Sequence, residues 1–126
     1  MNRKIIFSQN APAPIGPYSQ AVLVNETLYV SGQIAIDPSI GELIKGSIEE
    51  ETEMVLKNVK AVLNAADMDF DNVVKASIFL KDMSNFTQVN EVYSKVFSEV
   101  KPARETVEVS KLPKDVNIEI SVIAVK

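Results

Sequence analysis

Two charged residues near the end of the chain are the first that could do chemistry. Arg104 stands in PARETVEV, and Glu119 stands in VNIEIS between Ile118 and Ile120. The chain carries 13 basic residues, and only Arg3 and Arg104 are arginine. Lysine would serve equally well in a surface ion pair, which is worth about 0–1 kcal/mol. An arginine in a lysine-preferring chain fits a task that needs a planar fork, such as gripping a carboxylate or phosphate through two parallel hydrogen bonds. Glu119 has two readings. Strand alternation alone turns it outward into water. In a partly dry cleft, desolvation would raise its pKa and suit it to orient a water or carry a proton.

Other candidates are weaker taken singly. Tyr18 closes the proline-rich NAPAPIGPYS and can simply pack over the prolines. Ser31-Gly32-Gln33 interrupts an apolar strand, and a glycine there marks a bulge or a close approach of backbone to a ligand. Asn90 lies off the apolar stripe of a helix and reads first as a solvated side chain. The glycines of GELIKGS lack phosphate-loop spacing, which sets nucleotide binding aside.

Composition narrows the chemistry further. The chain has no cysteine and no histidine. That removes thiol nucleophiles, disulfides, thiolate metal sites, the commonest metal ligand and the usual proton carrier of neutral pH. Catalysis would have to run on carboxylates, lysine, tyrosine, hydroxyls, backbone groups and water, with no metal. The net charge is −4 and the pI about 4.8, so the basic footprint of a nucleic-acid binder is missing. No apolar run approaches the roughly 20 residues of a membrane span. Ile5-Ile6-Phe7 is too short for a signal-peptide core, so a cytoplasmic location is expected.

The elements that must position these residues follow from periodicity. The 126 residues read as a single domain, 1–126, able to bury roughly two-thirds of the unfolded surface. Lys4 to Phe7 forms a short strand, and the proline-rich loop follows. SQAVLV and TLYVSGQIAI make a hairpin about Asn25-Glu26, and DPSIGE is a turn. Ser47 and Glu50 fit a capping box, and Val55, Val59, Val62, Leu63 and Ala66 form one helical stripe. NVVKASIFLK is a strand with Val74, Ala76, Ile78 and Leu80 on one face. A second helix starts near Asn85, with Phe86, Val89, Tyr93, Val96, Phe97 and Val100 inward, and ends at Pro102. Strands near 103–110 and 116–125 flank the turn at 112–115. The order β-β-β-α-β-α-β-β predicts an α+β fold, a mixed sheet with both helices on one face. The outer face of the last strand is partly apolar, as a subunit contact would be.

Taken together, NAPAPIGPYSQA, LYVSGQIAIDPSIGE, NVKAVLNAA, VNEVYSKVF and PARETVEVSKLPKDVNIEIS closely resemble the RidA (YjgF) family of enamine and imine deaminases. The resemblance spans essentially the whole chain. It implies a chorismate-mutase-like fold and a homotrimer with a barrel-like core and ligand clefts between subunits. It also implies hydrolysis of 2-aminoacrylate, 2-aminocrotonate and their 2-imino tautomers to 2-keto acids and ammonia, with no cofactor. By the same resemblance, Arg104 holds the substrate carboxylate, Glu119 polarises the water and Tyr18 closes the cleft. Gly32 and Thr106 supply backbone contacts, while Ser31 and Asn90 line the cleft. The chain departs from the family in having Thr106 where many members have cysteine, and Lys101 where many have an aromatic residue. Two further readings remain beside the deaminase: a non-catalytic sensor of 2-keto acids or other carboxylates, and a ribonuclease or translation inhibitor.

Overall fold

The computed structural model describes residues 1–126. Its strands are β1 (Arg3–Ile6), β2 (Ala21–Val24), β3 (Thr27–Gln33), β4 (Ile36–Asp37), β5 (Glu42–Leu43), β6 (Val73–Leu80), β7 (Ala103–Glu108) and β8 (Ile118–Val125). Two helices, α1 (Ile48–Ala65) and α2 (Phe86–Val96), flank β6 in the sequence. Six strands form one sheet in the order β1-β2-β3-β8-β6-β7, antiparallel except for the β6–β7 pair. The sheet is thus mixed, and both helices share one of its faces, as the periodicity predicts.

The core is built where the two periods meet. Ile118, Ile120, Val122 and Ala124 of β8 face Val55, Val59, Val62 and Leu63 of α1, all buried. The capping box of α1 forms as expected: the Ser47 side chain accepts from the Glu50 amide, and the Glu50 carboxylate accepts from the Ser47 amide. No helix is long and apolar enough to cross a membrane.

Several expectations need correcting. TLYVSGQIAI does not run on as one strand. Between Val30 and Gln33, β3 spends three steps against two on β8, which is a bulge at Ser31-Gly32. The chain then leaves the sheet, and β4 pairs with β5 in a small separate ribbon whose turn uses Gly41 at φ +71°. In β6, Val74 points out, 49% exposed, and Val73 takes the inward place. A register irregularity against β8 between Val73 and Lys75 causes the switch. The second helix stops at Val96, well before Pro102. There Phe97 turns in against Phe70 and Tyr93, and Lys101 folds back onto the Ser98 carbonyl. Val100 is therefore exposed, and Phe86 lies at the surface rather than in the core.

Two buried amides fix the segments that carry the site. Gln20 is 2% exposed. Its Oε1 accepts from the Ser8 amide at 2.6 Å, and its Nε2 donates to the carbonyls of Ser8 and Pro12 at 3.1 and 2.8 Å. One side chain thereby holds the proline-rich loop, which has few backbone donors of its own. Asn58 of α1 donates from Nδ2 to the carbonyls of Ile34 and Ile36 and pins the chain just after the bulge. Replacing Gln20 by alanine strands buried backbone groups without partners, so a loss of about 2–3 kcal/mol is expected in urea denaturation.

Candidate active site

The structure gathers the candidate residues on two separate surfaces. The first surrounds Glu119. The bulge at Ser31-Gly32 brings that backbone beside β8, and Glu119 lies over it. A Cβ added at Gly32 would fall 2.6 Å from Glu119 Cδ and 2.7 Å from Oε2, so only glycine leaves room for this carboxyl. Ser31 is fixed on both sides: its hydroxyl donates to the Ser19 carbonyl at 2.6 Å, and its amide donates to the Gln20 carbonyl at 2.9 Å. Tyr18 follows the loop that Gln20 holds and is half exposed. Tyr18, Ser31, Gly32 and Glu119 line a cleft of about 390 Å³, walled by Ile15, Ile34 and other apolar groups. Burial in this cleft pushes the Glu119 carboxyl above its ordinary pKa, and no cation opposes the shift. A carboxylate that is costly to ionise and opens onto a cleft is suited to taking a proton from water.

The second surface surrounds Arg104. In the parallel β6–β7 ladder Arg104 lies beside Ala76 and Thr106 beside Ile78, so both point to the helix face. Glu119 lies beside Phe79 and points the other way. The Arg104 guanidinium stacks over the Tyr93 ring, 4.8 Å from its centroid, with Phe86 at 5.8 Å. Its Nη1 donates to Asn90 Oδ1 at 2.9 Å. Asn90 is thus the partner of the arginine rather than a solvated side chain. Arg104 has no acidic partner in the chain, which leaves the rest of its fork free. The Thr106 hydroxyl and the Tyr93 hydroxyl are both buried without a hydrogen-bond partner.

Within one chain, then, Tyr18, Ser31, Gly32 and Glu119 come together, and so do Arg104, Asn90 and, on the same face, Thr106. The sheet separates the two groups. Sequence reasoning overlooked three residues that shape them: Gln20, Asn58 and Tyr93. Asn58 had a readable signal, because it sits at i+3 from Val55 on the buried stripe, where an amide must find internal partners. Tyr93 reads as core from its spacing, and its service under Arg104 depends on how β7 pairs with β6. Nothing in the local pattern marks Gln20.

A six-stranded mixed sheet with two helices on one face, and an arginine and a glutamate on its opposite faces, defines a small α+β domain with an open cleft beside the glutamate. The profile of the family described as Endoribonuclease L-PSP matches residues 8–126. A RutC family protein of Pyrococcus horikoshii is 53% identical over 124 residues, 98% of each chain. The human 2-iminobutanoate/2-iminopropanoate deaminase is 48% identical over 124 residues, 98% of this chain and 90% of that one. Among solved structures, a Yersinia pestis protein of the conserved Rid family superposes with a TM-score of 0.96 at 48% identity, covering 99% of this chain and all of that one. The chain belongs to the RidA (YjgF) family, and its fold is that of Rid proteins.

Proposed function

We propose that this protein hydrolyses small 2-imino acids, the tautomers of 2-aminoacrylate and 2-aminocrotonate, to 2-keto acids and ammonia. The observation that carries the reading is the Glu119 carboxyl, held over Gly32 in a half-dry cleft and harder to ionise than usual. The deaminase name of the human relative supports it. The substrate carboxylate would occupy the free side of the Arg104 fork, with Asn90 and Tyr93 fixing the guanidinium. Glu119 would take a proton from water as its oxygen bonds to the imine carbon. That proton would pass to nitrogen to give the carbinolamine, and the hydroxyl proton would follow through the same carboxylate as the C–N bond breaks and the C=O forms, leaving the keto acid and ammonia. Tyr18 would close the cleft, Ser31 would line it, and backbone groups at Gly32 and Thr106 would meet the polar centre. Imine hydrolysis is facile, so positioning and modest proton transfer suffice, without a cofactor.

Because Arg104 and Glu119 lie on opposite faces of one sheet, the reading needs a second copy. In a homotrimer of cytoplasmic chains, the Arg104 surface of one subunit would meet the Glu119 surface of its neighbour. Tyr29, 50% exposed, and Val74 and Val107 on the uncovered surface are consistent with such burial. The test is to generate 2-aminocrotonate with a dehydratase and follow keto-acid release. Acceleration by this protein is expected, and no acceleration would sink the reading. A protein that only senses 2-keto acids would bind the product through Arg104 and give no acceleration. Endoribonuclease activity would set a chain of net charge −4 with no histidine against a polyanion, and composition weighs against it.

The raised pKa of Glu119 also predicts a pH dependence. The folded chain keeps a proton that the unfolded chain releases near the usual glutamate pKa of about 4.3. Stability therefore falls as pH rises from there through the raised folded value, and is flat above it. Glu119→Gln should be more stable than the parent at pH about 7 in urea denaturation, with the gap closing below about 4. Its turnover should drop about 100-fold or more.

A further inference from the structure

Beside Arg104 the chain forms a second, smaller pocket of about 210 Å³, lined by Tyr93, Ser94, Phe97, Lys101, Pro102 and Arg104. Two cations line it and no acid does. Lys101 Nζ donates to the Ser98 carbonyl at 2.8 Å and has no carboxylate partner, and Arg104 bonds only to the Asn90 amide. The aromatic walls of Tyr93 and Phe97 stack on each other at 4.7 Å, making the pocket's floor apolar and rigid. Tyr93 is 6% exposed, and its hydroxyl lacks any partner within the chain. An arginine engaged by a substrate carboxylate leaves Lys101, three positions away across Pro102, as a second positive charge on the same wall.

We propose that Lys101 is a specificity-determining residue, and that this chain prefers short 2-imino and 2-keto acids bearing a second carboxylate at the far end. This inference rests on the proposed role of Arg104 and adds the identity of the substrate's tail. A monocarboxylic acid fills the fork and leaves the lysine bonded to a carbonyl. A dicarboxylic acid exchanges that neutral acceptor for a charged one, adding the attraction of opposite unit charges to a bond whose donor is already ionised. The pocket of about 210 Å³ leaves room for the tail of a short acid.

Calorimetric titration of the full chain with 2-oxoglutarate and with 2-oxobutanoate, the corresponding product classes, tests it. The parent should bind 2-oxoglutarate about tenfold tighter, a difference of one charge-assisted contact. Lys101→Gln should bring the ratio close to one by weakening 2-oxoglutarate far more than 2-oxobutanoate. Equal affinities in the parent, or a preference that survives Lys101→Gln, overturn this inference alone. Binding of neither acid overturns it together with the reading of Arg104.

Discussion

Replacing Arg104 by lysine is expected to lower kcat/KM for imine hydrolysis about 100-fold, although the positive charge is kept. Three things are lost at once. A single ammonium cannot bind a carboxylate through two parallel bonds. It does not reproduce the planar stack on Tyr93 at 4.8 Å, and its shorter reach gives up the 2.9 Å bond to Asn90 Oδ1. Each bond to a charged group contributes about 1.5–3 kcal/mol, which brackets the expected loss. The effect should appear mainly in KM and in product affinity, because the fork binds a carboxylate that does not react. Urea denaturation should show little change, since Arg104 lies on an edge strand and is not in the core. Retention of parent kinetics would remove Arg104 from the site.

The second large effect is expected at Gly32. Its backbone φ is not in the left-handed region, so the glycine is required for space and not for conformation. In Gly32→Ala the new methyl meets the Glu119 side chain at 2.6–2.9 Å. The carboxyl can swing away, because it is the free end of a flexible side chain, so the stability cost should be below about 1 kcal/mol. The displaced group then no longer lies where water must be held, and a misplacement of about 1 Å can cost 10²-fold in rate. A drop of that order in kcat is expected with nearly unchanged denaturation. Adding Gly32→Ala to Glu119→Gln should cost little more, because the methyl acts through a carboxylate already gone. Additive losses in the double variant would show that Gly32 acts by another route.

The sequence carries Arg104 and Gly32 as anomalies of type: an arginine among lysines, a glycine inside an apolar strand. Such anomalies survive without knowledge of the fold, and the bulge at Ser31-Gly32 is where pattern reasoning places it. The helical stripes are legible for the same reason, since Val55, Val59 and Val62 answer to a local period. What escapes is set by pairing between distant segments. Val74 turns outward because of an irregularity against β8, some 50 positions away in the chain. The end of α2 is decided by Phe97 finding Phe70 and Tyr93, not by Pro102. Gln20 bonds backbone groups of a loop whose path no local rule specifies.

The sheet that holds Arg104 and Glu119 is a single layer, and neither side chain crosses it. On the proposed reading, a solitary chain is half of two sites and the whole of none. Each chain carries its own buried core, while its chemistry waits for company. Such a protein carries a built-in dependence on abundance: as chains become scarce, the shared sites come apart and the reaction fades with them.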